Sequence, residues 1–435
     1  MPRRENELMN ILIVSPFYNQ DKCIGSVRWT NLAQRLAKKH NVIVVTQPLD
    51  DMDMSFSKET ADNLTVARLN QKTLYEKIAV KFFHGATGYD IDISDEIGDK
   101  KAINNEPVSR KIKNRLFYST MKSKAKQYAD EIVKNVIPQN MKIDVVISSA
   151  CPFIEMLFGY ELKKRLGCKW ISDFRDLPFI EDKCDDTHIQ KKIMKDILPN
   201  ADAITVVLSG MKQQLINNVS EVTEKVWILT NGFSMSEARA SLPNNDGLLH
   251  IVHTGSLYGG TRRADLLFDA LSIIKQQGIT DFIFECAGGN NSSLITTANK
   301  YGCKDYIKDF GFISRNEALD LQSKADCLLA MVETTALPAK LFEYVLNQKP
   351  IICLLLGKEN DNCDARQFIE QLNVGKVFAE HNWENDVNSL VDYLKEQIER
   401  KKAGEKIIYI PNTIEVHKYN HDSLVLRLEE IIENI

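Results

Sequence analysis

The sequence predicts two doubly wound α/β domains in tandem, and three observations carry that expectation. Short, uninterrupted apolar segments recur along the chain. A glycine-bearing loop follows the opening segment of each half. Between the segments, apolar residues return at helical spacing. Strands that are apolar throughout belong to parallel sheets covered by helices on both faces.

The elements follow in order. Residues 10–15 form a first strand, a loop with Gly25 follows, and Trp29, Leu32, Ala33, Leu36 and Ala37 mark a helix. Residues 41–46 form the next strand, which completes a βαβ unit. Residues 144–148 are a strand followed by a helix to about Leu166. Residues 169–173, 203–207 and 225–229 are further strands, the last running into Asn231-Gly232. A polar linker at 242–247 separates this half from a second start. There, residues 249–253 form a strand, 255–260 a glycine loop and 265–276 a helix, with strands at 282–286, 327–330 and 350–354. The predicted boundaries are 1–235, with an insertion at about 50–130 that is least regular from 50 to 110, then 236–411. A final segment, 412–435, ends in an amphipathic helix bearing Leu424, Leu426, Leu428, Ile431 and Ile432.

A length of 435 residues exceeds one ordinary core and suits two. A net charge of −4 offers no basic excess for nucleic acid. The nine cysteines are scattered without a Cys-x-x-Cys pair, and several sit in apolar runs, so they read as buried free thiols of a reducing compartment. A polar N-terminus leads straight into a strand, and no apolar run reaches the roughly 20 residues of a spanning helix. The expected location is the cytoplasm.

In tandem Rossmann-like domains, ligands bind beyond the carboxyl ends of the strands. Four loops fall there. Gly25 to Arg28 lies past the first strand: it is an ordinary βα turn, or a backbone approach to a ligand. Thr254 to Arg263 holds Gly255, Gly259, Gly260, Arg262 and Arg263, a set that suits a diphosphate; the bland alternative is a surface loop with solvated arginines. Pro338 begins a helix with Lys340 in its first turn, its N-terminus favouring a phosphate, and Glu343 one turn on, able to take two ribose hydroxyls or simply to be a capping or solvated helix glutamate. Asp173, Arg175 and Asp176 cluster past a strand of the first half, either orienting an acceptor or closing a loop as an ion pair. Residues 108–129 carry seven lysines and arginines without an acid, with Ile112, Leu116, Met121, Ala125 and Tyr128 near one face: a solvated helix, or one lying peripherally on anionic lipid at the inner face of the membrane. Asp51-Met52-Asp53 and Asp90-Ile91-Asp92 fall in the irregular stretch and read as surface acids, so no metal-ligand set is expected.

Together these stretches resemble glycosyltransferase family 4, the retaining enzymes of the GT-B fold, and most of all its bacterial surface-polysaccharide branch. Pro338-Ala339-Lys340-Leu341-Phe342-Glu343-Tyr344 with Lys349-Pro350 is similar to that family's proline, lysine and Leu-x-Glu-Tyr pattern. Tyr258-Gly259-Gly260-Thr261-Arg262, Arg175-Asp176-Leu177, Asn231-Gly232 and 309–314 resemble other segments of it. The resemblance implies two domains facing across a cleft. It implies a donor site of Gly259, Gly260, Arg262, Lys340 and Leu341 at the diphosphate, Glu343 at the ribose, and Phe312 and Ile313 at the base. Asp173 and Asp176 would lie at the reacting sugar or acceptor, with Gly25, Arg28 and Arg175 on the acceptor side. It further implies a UDP- or GDP-sugar donor, a glycan or lipid-linked acceptor, retention of configuration and no metal. Thr335 and Ser256 stand where many members carry a glutamate and an arginine. Two other readings stay open: a nucleotide-sugar 2-epimerase, which needs carboxylates and a histidine in its cleft, and a catalytically weak sugar-nucleotide-binding scaffold.

Overall fold

The computed structural model describes residues 8–19, 24–48, 56–69, 108–150, 154–177, 187–240, 244–257, 262–333, 337–357 and 363–435. The chain divides into two compact units, Met1–Thr230 with His421–Ile435, and Asn231–Asn420. The division comes at Thr230 rather than 235, and the closing segment of the first unit begins at His421 rather than 412.

The first unit contains β1 (Asn10–Val14), β2 (Asn41–Thr46), β3 (Ser57–Ala61), β4 (Leu64–Arg68), β5 (Val145–Ser149), β6 (Lys169–Phe174), β7 (Ala203–Val206) and β8 (Val226–Ile228). They form one sheet in the order β3-β4-β2-β1-β5-β6-β7-β8. All its pairings are parallel except β3 with β4. The strand order reverses between β1 and β5, the mark of a doubly wound sheet. The helix Val27–Leu36 buries Trp29, Leu32 and Leu36 on this sheet. The helix His421–Glu433 adds Leu424, Leu428 and Ile431 to the same cluster. Each such side chain contributes about 1.5–3 kcal/mol by leaving water. The chain's last turns are therefore part of the first unit's core.

The second unit contains β9 (Leu249–Thr254), β10 (Phe282–Ala287), β11 (Ile307–Asp309), β12 (Cys327–Glu333), β13 (Ile351–Leu356) and β14 (Gly375–Ala379), all parallel, in the order β11-β10-β9-β12-β13-β14. Its strand order reverses between β9 and β12. Successive side chains of a strand point to opposite faces. In β13, Ile352, Leu354 and Leu356 accordingly join one buried cluster, with Leu267, Leu271 and Leu394, while Ile351, Cys353 and Leu355 join another, with Leu341, Phe342 and Phe368. Burial on both faces is why this strand reads as an unbroken apolar run.

The sequence reading missed four strands, each for a physical reason. β3 and β4 form a hairpin inside the stretch expected to be irregular. β3 (Ser-Lys-Glu-Thr-Ala) is a polar, largely exposed edge strand, and charge is how exposed edges resist pairing with other chains. β11 spans three residues, and β14 is an edge strand half open to water. Residues 108–129 are helical within Val108–Glu131. Ala125, Tyr128 and even Lys124 are buried there, Tyr128 packing its ring 4.4 Å from that of Phe158 on the helix Ile154–Leu166. That part of the apolar face is occupied by protein and is not offered to lipid; the side chains before Ser119 lie outside the described residues. Among the described residues no helix is long and apolar enough to cross a membrane. Six cysteines, Cys168, Cys286, Cys303, Cys327, Cys353 and Cys363, are buried free thiols; Cys23, Cys151 and Cys184 lie outside the described residues.

Candidate functional site

The reversal between β9 and β12 sends the chain to opposite faces and leaves a crevice at the carboxyl ends of these two strands. Backbone contacts bring the adjoining loops together. The Gly255 N–H donates to the Ala287 carbonyl (2.7 Å) and the Gly288 N–H to the Gly311 carbonyl (2.8 Å). Gly255 has φ +118° and Gly288 φ +151°. A β-carbon at 288 would lie 2.4 Å from the Gly255 carbonyl oxygen, and one at 255 would lie 2.8 Å from Lys340 Nζ. Only glycine permits both the conformation and the approach.

Pro338 caps the helix Ala339–Leu346 with extended backbone (ψ 140°). Tyr344 ties that helix to the sheet: its hydroxyl accepts from the Thr254 N–H (3.1 Å) and donates to the Leu329 carbonyl (3.2 Å). Gln322 extends the tether, donating to Thr254 Oγ1 (2.8 Å) and accepting from Asn347 Nδ2 (2.6 Å). The helix so held delivers Lys340 to the end of β9. Lys340 is 8% exposed, and among the described residues its Nζ has no hydrogen-bond partner. Burial, with the Arg262 guanidinium nearby, pulls the ammonium down to about 7, against a smaller opposing pull from Glu343. His253, fully buried beside it, donates from Nδ1 to the Leu329 carbonyl (2.9 Å). Burial and then the Lys340 charge hold this histidine neutral, well below its ordinary value, leaving Nε2 as an acceptor without a partner among the described residues. Arg262 donates from Nη1 to the Ser256 carbonyl (3.2 Å). A buried cationic group left without a partner is costly. Here one sits beside an arginine and next to a helix N-terminus, an arrangement suited to an anion.

Glu343, one turn on, is also largely buried (14% exposed) and is not solvated. Its Oε1 accepts from Arg315 Nε (2.9 Å), and Arg315 also grips Glu237 through Nη1 (3.1 Å) and Nη2 (3.2 Å). Burial raises the Glu343 carboxyl, and the arginine offsets this only in part. Sequence reasoning missed Arg315. A signal was present: Ser314 and Glu317 make a capping box, which places Arg315 at the first helical position, where the helix dipole disfavours a cation. Phe312, in the loop after β11, is 78% exposed, and Ile313 beside it is half-buried. Leu341 is fully buried in the core, so its side chain packs the helix and faces no ligand.

The residues expected on the acceptor side form a different kind of centre. The Asp173 carboxylate, at the end of β6, is fully buried and accepts four hydrogen bonds. Oδ1 takes Arg28 Nη2 (2.9 Å) and Thr205 Oγ1 (2.7 Å); Oδ2 takes Trp29 Nε1 (3.0 Å) and Ser149 Oγ (3.2 Å). Arg28, 4% exposed, donates also to the carbonyls of Leu229 (2.8 Å) and Thr230. Asp173 and Arg28 are thus a buried internal ion pair that ties the first helix to the end of β8: the carboxylate is filled, and Arg28 is bonded through Nη1 and Nη2, with Nε buried and without a partner among the described residues. Arg175 donates to the Gly25 carbonyl (2.9 Å) and is half-buried, while Asp176 is exposed. These two remain at the surface of the first unit.

Gly259 and Gly260 lie outside the described residues, as do Thr335, Asp51, Asp53, Asp90 and Asp92. Among the described residues no group of three or more His, Cys, Asp or Glu is placed to hold a metal ion.

No protein-family model matches the chain, and no curated protein matches its sequence. Solved structures do share its fold. Sucrose-phosphate synthase from Thermosynechococcus elongatus is 13% identical over 97% of this chain and 98% of that one, with a TM-score of 0.63. A glycosyltransferase from Rickettsia africae is 16% identical over 98% of each chain, with a TM-score of 0.54. Trehalose-6-phosphate from E. coli, bound with UDP-2-fluoro glucose, is 11% identical over 98% and 99%, with a TM-score of 0.62. At these identities the likeness concerns the fold, and the fold is that of the GT-B glycosyltransferases: two Rossmann-like α/β units.

Proposed function

We propose that this chain is a glycosyltransferase that takes a sugar from a nucleoside-diphosphate donor bound by the second unit. The observation that carries this reading is the buried, unpartnered Lys340 ammonium at the strand-order reversal, with Arg262 beside it. A diphosphate would supply a hydrogen-bonded counter-charge, which Glu343, acting on the ammonium only through space, does not. In this reading Arg262, Lys340 and the amides at the start of the helix Ala339–Leu346 stabilise the charge that grows on the leaving nucleoside diphosphate. Gly259 and Gly260 contribute backbone amides. Glu343 holds the ribose, and Phe312, with Ile313, offers an exposed aromatic surface to the base. The family resemblance adds retention of configuration, a UDP- or GDP-sugar, no metal requirement, and a glycan or lipid-linked acceptor in cytoplasmic surface-polysaccharide assembly. Arg175 and Asp176 are the residues we assign to the acceptor, with Gly25 shaping the loop. Asp173 and Arg28 serve the reaction only by holding that loop's neighbourhood in place.

The test is a donor screen. Purified protein is incubated with a panel of UDP- and GDP-sugars, and thermal stabilisation and nucleotide release are followed for wild type and Glu343→Ala. One donor class should raise the melting temperature of the wild type and lose that effect in the variant. No stabilisation by any donor at millimolar concentration contradicts the reading. Stabilisation without nucleotide release over a panel of acceptors would favour the binding-scaffold reading instead.

A further inference from the structure

A glutamate that binds a ribose has to hold its carboxylate still, and this one lies on a short helix in a largely buried position. Arg315 does the holding. Its guanidinium is used on two edges: Nε bonds Glu343 Oε1 (2.9 Å), and the Nη1 and Nη2 pair grips both oxygens of Glu237 (3.1 and 3.2 Å). The two-point grip on Glu237 fixes the plane of the guanidinium, and the third bond fixes the orientation of Glu343. The described residues give Glu343 Oε2 no hydrogen bond, so one carboxylate oxygen is spoken for and the other is available. Arg315 is itself held by the capping box at the start of its helix, where Ser314 N–H donates to Glu317 Oε2 (2.8 Å). A cation in a helix's first turn runs against the dipole. Its two carboxylate partners account for its presence there: burial works against the guanidinium's charge, but pairing with Glu237 and Glu343 outweighs it.

Resting on the donor-site reading above, we infer that Arg315 is the positioning residue that aims the remaining Glu343 carboxylate oxygen at the ribose 2′-hydroxyl, and so sets this protein's preference for ribonucleotides over 2′-deoxyribonucleotides. The consequence is specific. Removing Arg315 frees the carboxylate to rotate, and the energy lost is that of a hydrogen bond to one sugar hydroxyl. Affinity for a nucleotide lacking that hydroxyl is left almost as it was.

The experiment measures calorimetric dissociation constants of UDP, GDP and their 2′-deoxy forms for wild type, Arg315→Ala, Arg315→Lys and Glu237→Gln, with a melting curve for each protein. A hydrogen bond to a charged group corresponds to roughly tenfold or more in affinity. Wild type should prefer the ribo form by about that factor. Arg315→Ala should reduce the preference to about threefold or less, mainly by weakening the ribo form. Arg315→Lys should restore part of it, because it returns a cation without the two-edged grip. Glu237→Gln should give an intermediate preference and serves as the test if Arg315→Ala does not fold. A folded Arg315→Ala protein that keeps the full preference overturns the inference, as does one that loses ribo and deoxy forms equally. A wild type that binds these nucleotides without any ribose preference removes the role of Glu343, and the inference with it. A wild type that binds neither UDP nor GDP overturns the donor-site reading itself.

Discussion

Each unit buries a basic side chain at the carboxyl end of its sheet, and the two are treated in opposite ways. In the first unit Arg28 meets Asp173, Leu229 and Thr230, and Asp173 in turn is filled by Thr205, Trp29 and Ser149. In the second unit Lys340 Nζ and His253 Nε2 are buried with no partner among the described residues. Similar burial therefore reports different work. A buried charge paired with its counter-charge, as Arg28 is through Nη2 although its Nε has no partner among the described residues, is part of the scaffold. A buried charge left open is a site waiting for its counter-charge, since folding alone gains nothing from leaving it so.

The largest effect expected from this contrast falls on the scaffold side. Asp173→Ala strands Arg28 inside the first unit and should cost about 3–5 kcal/mol in urea unfolding. A loss below about 1 kcal/mol would mean that the pair is not structural. Next comes the opposite sign in the second unit. Lys340→Met removes an unpartnered buried amine while keeping the stem, and should raise stability by about 1–3 kcal/mol at neutral pH as it abolishes stabilisation by donor. If the variant is less stable than wild type, the ammonium has a partner that the described residues do not include.

A titration sharpens the same point. The folded value of Lys340, about 7, lies below its ordinary value. Between the two, the unfolded chain holds a proton that the folded chain does not, so this group's contribution to stability rises as pH rises through that window. Donor binding acts in reverse. The diphosphate favours the charged amine, binding takes up a proton above pH 7, and affinity should fall with rising pH by no more than about tenfold per pH unit. Measured constants from pH 6 to 9 check the sign; an affinity that rises with pH contradicts it. The smallest effect is expected at Asp176, which is exposed. Asp176→Asn should leave stability within about 0.5 kcal/mol, and any larger loss of transfer rate in a coupled assay then belongs to the acceptor side.

Much of this contrast could be read from the sequence and part of it could not, for definite reasons. The β13 run 351–356 is legible because both faces are buried, and the helix bearing Lys340 because proline marks its start. The β3–β4 hairpin is not, because β3 is a polar edge strand and β4, inside the sheet but mostly only half-buried, has no continuous apolar run. The roles of Asp173 and Arg28 are not legible either. Their pairing spans 145 positions, and nothing near either residue distinguishes a filled carboxylate from an open one. The same holds for Glu343, whose partner Arg315 lies 28 residues away and on another helix. Residue type and strand-end location indicate that a group is at a site; only its partners tell whether that group is occupied.

The most direct measurement is calorimetric titration of UDP and GDP into wild type and Lys340→Met, with melting curves for both proteins. Wild type should bind at least one of these nucleoside diphosphates, and the variant should bind it at least tenfold more weakly while melting no lower. Equal affinity in the two proteins, or no binding by either, would contradict the donor-site reading.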